Sequence, residues 1–336
     1  MKAALIKEVN QYPVIEEISR PEPGPGEVLI QLKAAALNHR DVWIRKGRYP
    51  GMQFPILPGS DGAGVVVAAG SPELEKWLGR PVVINPSLNW GEAKTHYGPD
   101  FRILGLEDHG TFAEYIRIPA EYVFDSPAHL TFEQAAALPL AGLTAWRCLM
   151  SRAKLSPGDK VLITGAGGGV ALFALQFAVK SGAEVWVTSG SEEKIRRAVE
   201  MGARGGLNYR NPDWHKEFLK EVNATGVGYF DVIIDSAAGP DFKKLTDVAT
   251  PGGRICIYGG TVGPITDLIP ARIFFKQLNI MGTTMGTPEE FADMLQFVQE
   301  HRMEPVIDSV RPFHELVSGM ERMEKGEQFG KLVFTF

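Results

Sequence analysis

Cysteine is scarce in this chain: Cys148 and Cys256 are the two present in 336 residues. Two thiols exclude a disulfide framework and a four-thiolate metal site. Cys148 follows an apolar helix pattern and Cys256 sits inside RICIYGG, a strand-like run. Both read as small buried hydrophobes rather than nucleophiles. Long runs of one charge are also missing. The 35 basic and 40 acidic residues leave a formal net charge of -5, with no basic stripe for nucleic acid or for an anionic membrane surface. Neither partner is expected. No internal repeat or low-complexity tract occurs, and MKAALIKEVN carries no secretory signal, so a cytoplasmic location is the expectation.

What the chain does have is a long uncharged stretch from Val161 to Val179. Its length is close to that of a membrane span. Four glycines argue against that reading, since each costs about 1 kcal/mol relative to Ala in a helix interior. DKVLIT reads instead as a strand, TGAGGG as a turn, and VALFALQFAVKSG as an apolar helix closed at Gly182, followed by a second strand, EVWVTSG. Strand, glycine turn, helix and strand form the β-α-β unit that binds dinucleotides, with bare backbone against the pyrophosphate and the helix N-terminus facing the anion. Gly165, Gly167, Gly168, Gly169 and Val170 are the candidate loop residues. The fingerprint is inexact. A strict G-x-G-x-x-G from Gly165 would end at Val170, whereas Gly165, Gly168 and Ala171 fit a three-residue spacing.

The rest of the chain divides by pattern. Before residue 125, KAALIK, PVIEEI, EVLIQLKAAAL, GAGVVVAAG and FAEYIRIP are strand-like and separated by breakers such as PEPGPGE. From there to about residue 275, helical and strand patterns alternate, which implies a parallel sheet covered on both faces. PEEFADMLQFVQE then reads as a helix, and VRPFHEL and GKLVFTF as two last strands. The expected fold is α/β, with a β-rich domain over 1–125 completed by 276–336 and a doubly wound domain over 126–275.

The order of HRD near residue 40, LPGSDGAG near 60, the glycine loop near 165 and FGKLVF at the end resembles the medium-chain dehydrogenase/reductase superfamily over essentially the full length. The resemblance implies a GroES-like catalytic domain and a Rossmann nucleotide-binding domain. Many members hold a catalytic zinc through Cys, His and Cys. Here the corresponding residues are Asn38, Ser60 (beside Asp61) and Ala141, and the loop that often binds a structural zinc, NPSLNWGEAKTHYGPDFRILG, has no cysteine. An amide, a hydroxyl and a methyl do not replace thiolate and imidazole, so no metal is expected. His39, His96 and His109 form no ligand pair.

The zinc-free branch of the family is similar to quinone oxidoreductases and enone or alkenal reductases. By resemblance, Asn38 faces nicotinamide and substrate, Thr144 touches the nicotinamide, His39 and Lys331 approach the pyrophosphate, and Gly259, Gly282 and Thr283 line the cofactor groove. Plainer readings are a turn cap for Asn38, a bond to its own helix for Thr144 and solvation for Lys331. Asp41, Tyr49 and solvent stand as alternative proton donors. The second strand of the nucleotide domain ends in Thr188, Ser189 and Gly190 with no carboxylate to hold a ribose. Ser191 opens the next helix, and the resemblance places Lys194 and Tyr209 on a 2'-phosphate, so NADPH is the expected cofactor. Lys194 and Arg197 are alternatively a solvated face paired with Glu192 and Glu193.

The expected activity is zinc-independent hydride transfer from NADPH to a quinone or other conjugated carbonyl. An alcohol dehydrogenase with misaligned ligands and an NADPH-binding protein without turnover are the alternatives. FFKQLNIMGTT should end the parallel sheet as an apolar edge, which implies a homodimer or homotetramer.

Overall fold

Apolar residues at alternate positions of EVLIQLKAAAL predict a strand with one face in a core, and the computed structural model, which describes residues 1–336, builds one there. Two short strands precede it, β1 (Lys2–Leu5) and β2 (Val14–Glu17), paired antiparallel. β3 (Glu27–Ala36) leads into helix α1 (His39–Arg45) and then β4 (Asp61–Ala69). β5 (Pro81–Ile84), β6 (Ser87–Leu88), β7 (Arg102–Ile103), β8 (Tyr115–Pro119) and β9 (Val123–Asp125) follow. Val28, Ile30 and Leu32 of β3 enter a core with Val66, Val82, Ile84, Ile116 and Ile118. Two helices close this part, α2 (Phe132–Ala136) and α3 (Pro139–Trp146).

The uncharged stretch from Val161 to Val179 divides as its glycines require. It supplies β10 (Lys160–Ile163), a loop, and α4 (Gly169–Lys180). β11 (Glu184–Ser189), α5 (Glu192–Glu200), β12 (Gly205–Asn208), α6 (Trp214–Glu221), β13 (Phe230–Asp235), α7 (Phe242–Val248), β14 (Ala249–Ile257), α8 (Pro270–Lys276) and β15 (Asn279–Gly282) continue the alternation. These six strands are parallel, in the order β12-β11-β10-β13-β14-β15. That is the 3-2-1-4-5-6 order of a dinucleotide-binding sheet, which reverses direction beside its first strand. No helix is long and apolar enough to cross a membrane.

The chain then returns to the first sheet through α9 (Pro288–Glu300), β16 (Ile307–Pro312), α10 (Leu316–Glu324) and β17 (Lys331–Thr335). VRPFHEL is only half a strand. Pro312 ends β16, Phe313–Glu315 form a short 3-10 turn, and Leu316 starts α10. The completed sheet runs β16-β17-β3-β4-β5-β9, with β8 also on β3.

Two units result, Met1–Leu143 with Gly286–Phe336, and Thr144–Met285. Both divisions fall later than the expected 125/126 and 275/276. Residues 126–143 stay with the first unit because α2 packs on β3, β4 and β17. Residues 276–285 stay with the second because β15 extends its sheet by pairing with β14.

Gly64 in β4 lies opposite Leu32, where β3 bulges, and a Cβ there would come within 2.1 Å of the Gln31 carbonyl oxygen. Backbone cannot step aside cheaply. Gly64→Ala should therefore destabilise by more than about 2 kcal/mol. Gly260→Ala, where a Cβ meets nothing within 4 Å, should stay within about 0.5 kcal/mol. Denaturant titration of both variants checks the contrast, and equal effects would contradict it.

Candidate active site

Register in the first unit brings three distant residues to one end of its sheet. β4 and β17 flank β3, both antiparallel to it, with Asp61 and Val333 each opposite Ala36. Asn38 lies two residues beyond Ala36, and Lys331 opens β17. All three are buried. Their side chains close a ring. Lys331 Nζ donates to Asn38 Oδ1 at 2.6 Å and to Asp61 Oδ2 at 2.8 Å, and Asn38 Nδ2 donates to Asp61 Oδ2 at 2.8 Å. The second oxygen of Asp61 accepts from the Leu140 amide at 2.8 Å, at the N-terminus of α3.

A second buried carboxylate sits beside this ring. Asp41 is in the first turn of α1, where its Oδ2 accepts from the Asn38 amide at 2.8 Å and its Oδ1 from the Gly59 amide at 3.3 Å. Burial pushes the Asp41 carboxyl up to about 6, against the opposing pull of Arg40, the Asn38 amide and Lys331. The Arg40 guanidinium is buried too. It donates to Ser60 Oγ at 2.7 Å and to the Leu104 carbonyl at 2.8 Å, and stacks over Tyr49 at 4.9 Å. Two cations and two carboxylates are thus interleaved in this region, which balances its charge.

The sequence-derived candidates in the first unit separate on these facts. Asn38 precedes α1, but its amide side chain is committed to Lys331 and Asp61 rather than to the helix. Lys331 is not solvated: it is buried, and it bonds to Asp61 and Asn38. The reason is the β17–β3 register, which turns the first side chain of β17 inward among acceptors. His39 is exposed at the start of α1.

In the second unit the glycine loop is fastened at both sides. Ala166 N donates to the Thr188 carbonyl at 2.8 Å, and Thr164 Oγ1 donates to Asp235 Oδ1 at 2.7 Å. Gly165 and Gly167 have φ of +74° and +117°, backbone that favours glycine. A Cβ on Gly165 would come within 2.9 Å of Ser236 Oγ, and one on Gly259 within 2.9 Å of the Ser236 carbonyl oxygen. Gly168 and Gly169 form the start of α4, with Val170 half-buried behind them. Such a loop offers amides without side chains, which suits a pyrophosphate.

The end of β11 carries the second cluster. Ser189 Oγ accepts from Ser191 N at 3.3 Å, and Ser191 Oγ caps α5 by accepting from Lys194 N at 3.4 Å. The Tyr209 ring lies over Gly190, where a Cβ would meet its hydroxyl at 2.8 Å. At the sheet's other end, Gly282 is exposed, and Thr283 Oγ1 is buried without a partner. Thr144 donates to Met285 Sδ at 4.0 Å rather than along its own helix.

Comparison with known proteins accounts for both units. Residues 24–128 match the family described as alcohol dehydrogenase GroES-like domain, and residues 169–300 match that described as zinc-binding dehydrogenase. A relative named zinc-type alcohol dehydrogenase-like protein YogA, from Leptosphaeria maculans, is 39% identical over 96% of this chain and 94% of its own. The chain belongs to the medium-chain dehydrogenase/reductase superfamily. It is an oxidoreductase with the GroES-like and Rossmann domains of that family, whose members bind a nicotinamide cofactor. Human quinone oxidoreductase is 29% identical over 94% of this chain and 91% of its own length. A crystal structure titled as an NAD-dependent alcohol dehydrogenase superposes with a TM-score of 0.91 at 37% identity, covering 100% of both chains.

Three residues of the site were not singled out from sequence: Asp61, Arg40 and Ser236. For Asp61 a signal exists. A carboxylate set among the glycines of LPGSDGAG, at the head of an apolar strand, has little access to solvent and needs internal partners.

The raised Asp41 pKa has a signed consequence. Its folded value, about 6, exceeds the unfolded 3.8, so the fold binds the extra proton between them. The stability this adds is fully present below pH 3.8 and is lost as pH rises through about 6. Relative to Asp41→Asn, the parent should gain about 2 kcal/mol on going from pH 7.5 to 4.5. Denaturant midpoints of both proteins at the two pH values provide the check. A pH-independent difference would rule the shift out.

Proposed function

We propose that this chain is a zinc-independent, NADPH-dependent reductase of quinones or other conjugated carbonyls such as enones and alkenals. The observation that carries the reading is the Lys331 ammonium bonded to both Asn38 and Asp61. A divalent cation held by those two groups would have to displace a resident positive charge. Ser60 offers no imidazole, and its hydroxyl is already held by Arg40 and the Leu104 carbonyl. The donor set is therefore a poor fit for zinc, which favours thiolate and imidazole.

The residues do fit a dinucleotide. The Gly165–Gly169 loop and the start of α4 would hold the pyrophosphate, and Thr283 brings a hydroxyl that lacks a partner. Thr144, with Asn38, is a candidate for the nicotinamide. Ser189, Ser191, Lys194 and Tyr209 would hold the 2'-phosphate, and Thr188, Ser189 and Gly190 at the end of β11 carry no carboxylate to repel it. Bound NADPH supplies the hydride.

Without a Lewis acid, charge arriving on a single aldehyde oxygen would be poorly stabilised. In a conjugated acceptor it spreads into an enolate or hydroquinone anion, for which a neutral donor suffices. Asn38 is that donor. One of its Nδ2 protons is bonded to Asp61 and the other is left for the acceptor oxygen. A preorganised donor of this kind contributes about 2.7 to 4 kcal/mol. Asp41, Tyr49 and solvent are the candidate sources of the final proton.

The parent enzyme should oxidise NADPH with quinones, enones or alkenals and keep its rate in the presence of a chelator. Asn38→Ala should lower kcat by about a hundredfold or more while changing NADPH affinity much less. Stoichiometric zinc, chelator-sensitive activity and oxidation of simple alcohols would overturn the reading. Lys194→Ala should weaken NADPH binding about ten- to a hundredfold and leave NADH nearly unchanged. A parent that binds NADH more tightly would refute the cofactor assignment.

We also propose a homodimer or higher assembly through β15, which has a strand neighbour on one side only. Its free edge carries unpaired N–H and C=O groups, an arrangement that invites a second strand. Light scattering at micromolar concentration should give at least twice the 36.8 kDa chain mass. A monomer mass would contradict it.

A further inference from the structure

The ring at Asn38 contains one more functional assignment, which rests on the reading of Asn38 as the donor to substrate. A primary amide is two-faced, and rotation by a half-turn exchanges its acceptor oxygen for its donor nitrogen. A free Asn could therefore present either face to a ligand. Here the neighbours decide. Lys331 has only donors and claims the oxygen at 2.6 Å, whereas Asp61 has only acceptors and claims one proton of the nitrogen at 2.8 Å. The Lys331–Asp61 contact at 2.8 Å closes the ring, so a flipped amide would set N–H against ammonium and C=O against carboxylate. Both contacts would turn repulsive.

From this geometry we infer that Lys331 is a positioning residue that fixes Asn38 with an N–H directed at the substrate oxygen. Its charge has a second effect in the same direction. Polarising the amide oxygen draws electron density from the nitrogen and strengthens the remaining N–H as a donor. The selectivity that results is for acceptors that present a carbonyl oxygen. Ligands that must donate to this position, such as an alcohol hydroxyl seeking an acceptor, meet no lone pair from Asn38. Asp61 serves as the counter-charge that holds the ammonium in place, itself anchored by the Leu140 amide.

The test is a double-mutant cycle on kcat with Lys331→Met, Asn38→Ala and their combination, run on whichever reaction the parent catalyses. Removing Lys331 strands the Asp61 carboxylate, so a second form, Lys331→Met with Asp61→Asn, keeps the site neutral if the single variant fails to fold. Lys331→Met, or its neutralised form, should lower kcat about tenfold to a hundredfold with little change in the Kd for NADPH. In the Asn38→Ala background the same substitution should change kcat less than about threefold, because residues acting through one another are not additive. Additive losses would overturn the inference. A readout that does not need turnover is the Asn38 side-chain amide in nitrogen-15 NMR, identified by its loss in Asn38→Ala. It should shift in the lysine variants, and an unchanged resonance would also overturn the inference. The two readings fail separately. A parent that reduces no conjugated carbonyl but oxidises alcohols refutes the proposed function, while the cycle and the resonance still decide the role of Lys331.

Discussion

Burying a lysine among uncharged neighbours costs several kcal/mol unless a carboxylate comes with it, and the first unit is arranged around meeting that condition. Lys331 and Asp61 are 270 residues apart in sequence and 2.8 Å apart in space. Three strands have to lie side by side in one register for the contact to exist. Asp61 also holds the head of α3 through Leu140, so the ion pair links two strands and a helix. Removal of one partner of such a pair leaves a buried charge and typically costs about 3 to 5 kcal/mol. The amide of Asn38 is thus oriented by an interaction the fold needs anyway.

The two units answer to different constraints. In the second, hydrogen bonds run from strand end to strand end: Thr164 to Asp235, Ala166 to Thr188, Ser236 N to Thr164 Oγ1. They fix a loop whose own residues have no side chains to hold it. Asp235 is buried, and desolvation raises its pKa while the Thr164 hydroxyl and the amides of Ala238 and Ala237 pull the other way. The amides of Gly165, Ala166 and Gly168 are spent on this fastening, to Thr188 and to Gly165. A superfamily member similar both to a quinone oxidoreductase and to an NAD-dependent alcohol dehydrogenase keeps the frame while most of its side chains differ from theirs, at 29% and 37% identity.

Local features were legible in the sequence, and non-local ones were not. The strand, glycine turn, helix and strand from residue 160 to 189 could be read because each signal lies within a few residues of the next. The burial of Lys331 is not legible, because its environment is created by β3 and β4, nearly three hundred residues away in sequence, and no local pattern marks a lysine as buried. The division between units was placed too early at both ends for a related reason. The helix FEQAA looks like the start of an α/β alternation, yet it packs on β3, β4 and β17. In VRPFHEL, the strand pattern runs through Pro312, and the turn that follows depends on Phe313 entering the core with Leu316 and Phe334.

Because β17 lies between β16 and β3, synthesis of the chain imposes an order on its folding. The strands up to residue 125 leave the ribosome with the β17 side of β3 still open. The second unit, continuous from Thr144 to Met285, can assemble while they wait. At about 5 to 20 residues per second, many seconds pass before Lys331 is made. Throughout that interval Asn38, just beyond the open edge strand β3, and Asp61, on the neighbouring β4, lack their cation. That edge closes, and the ring at Asn38 forms, when β17 pairs with β3.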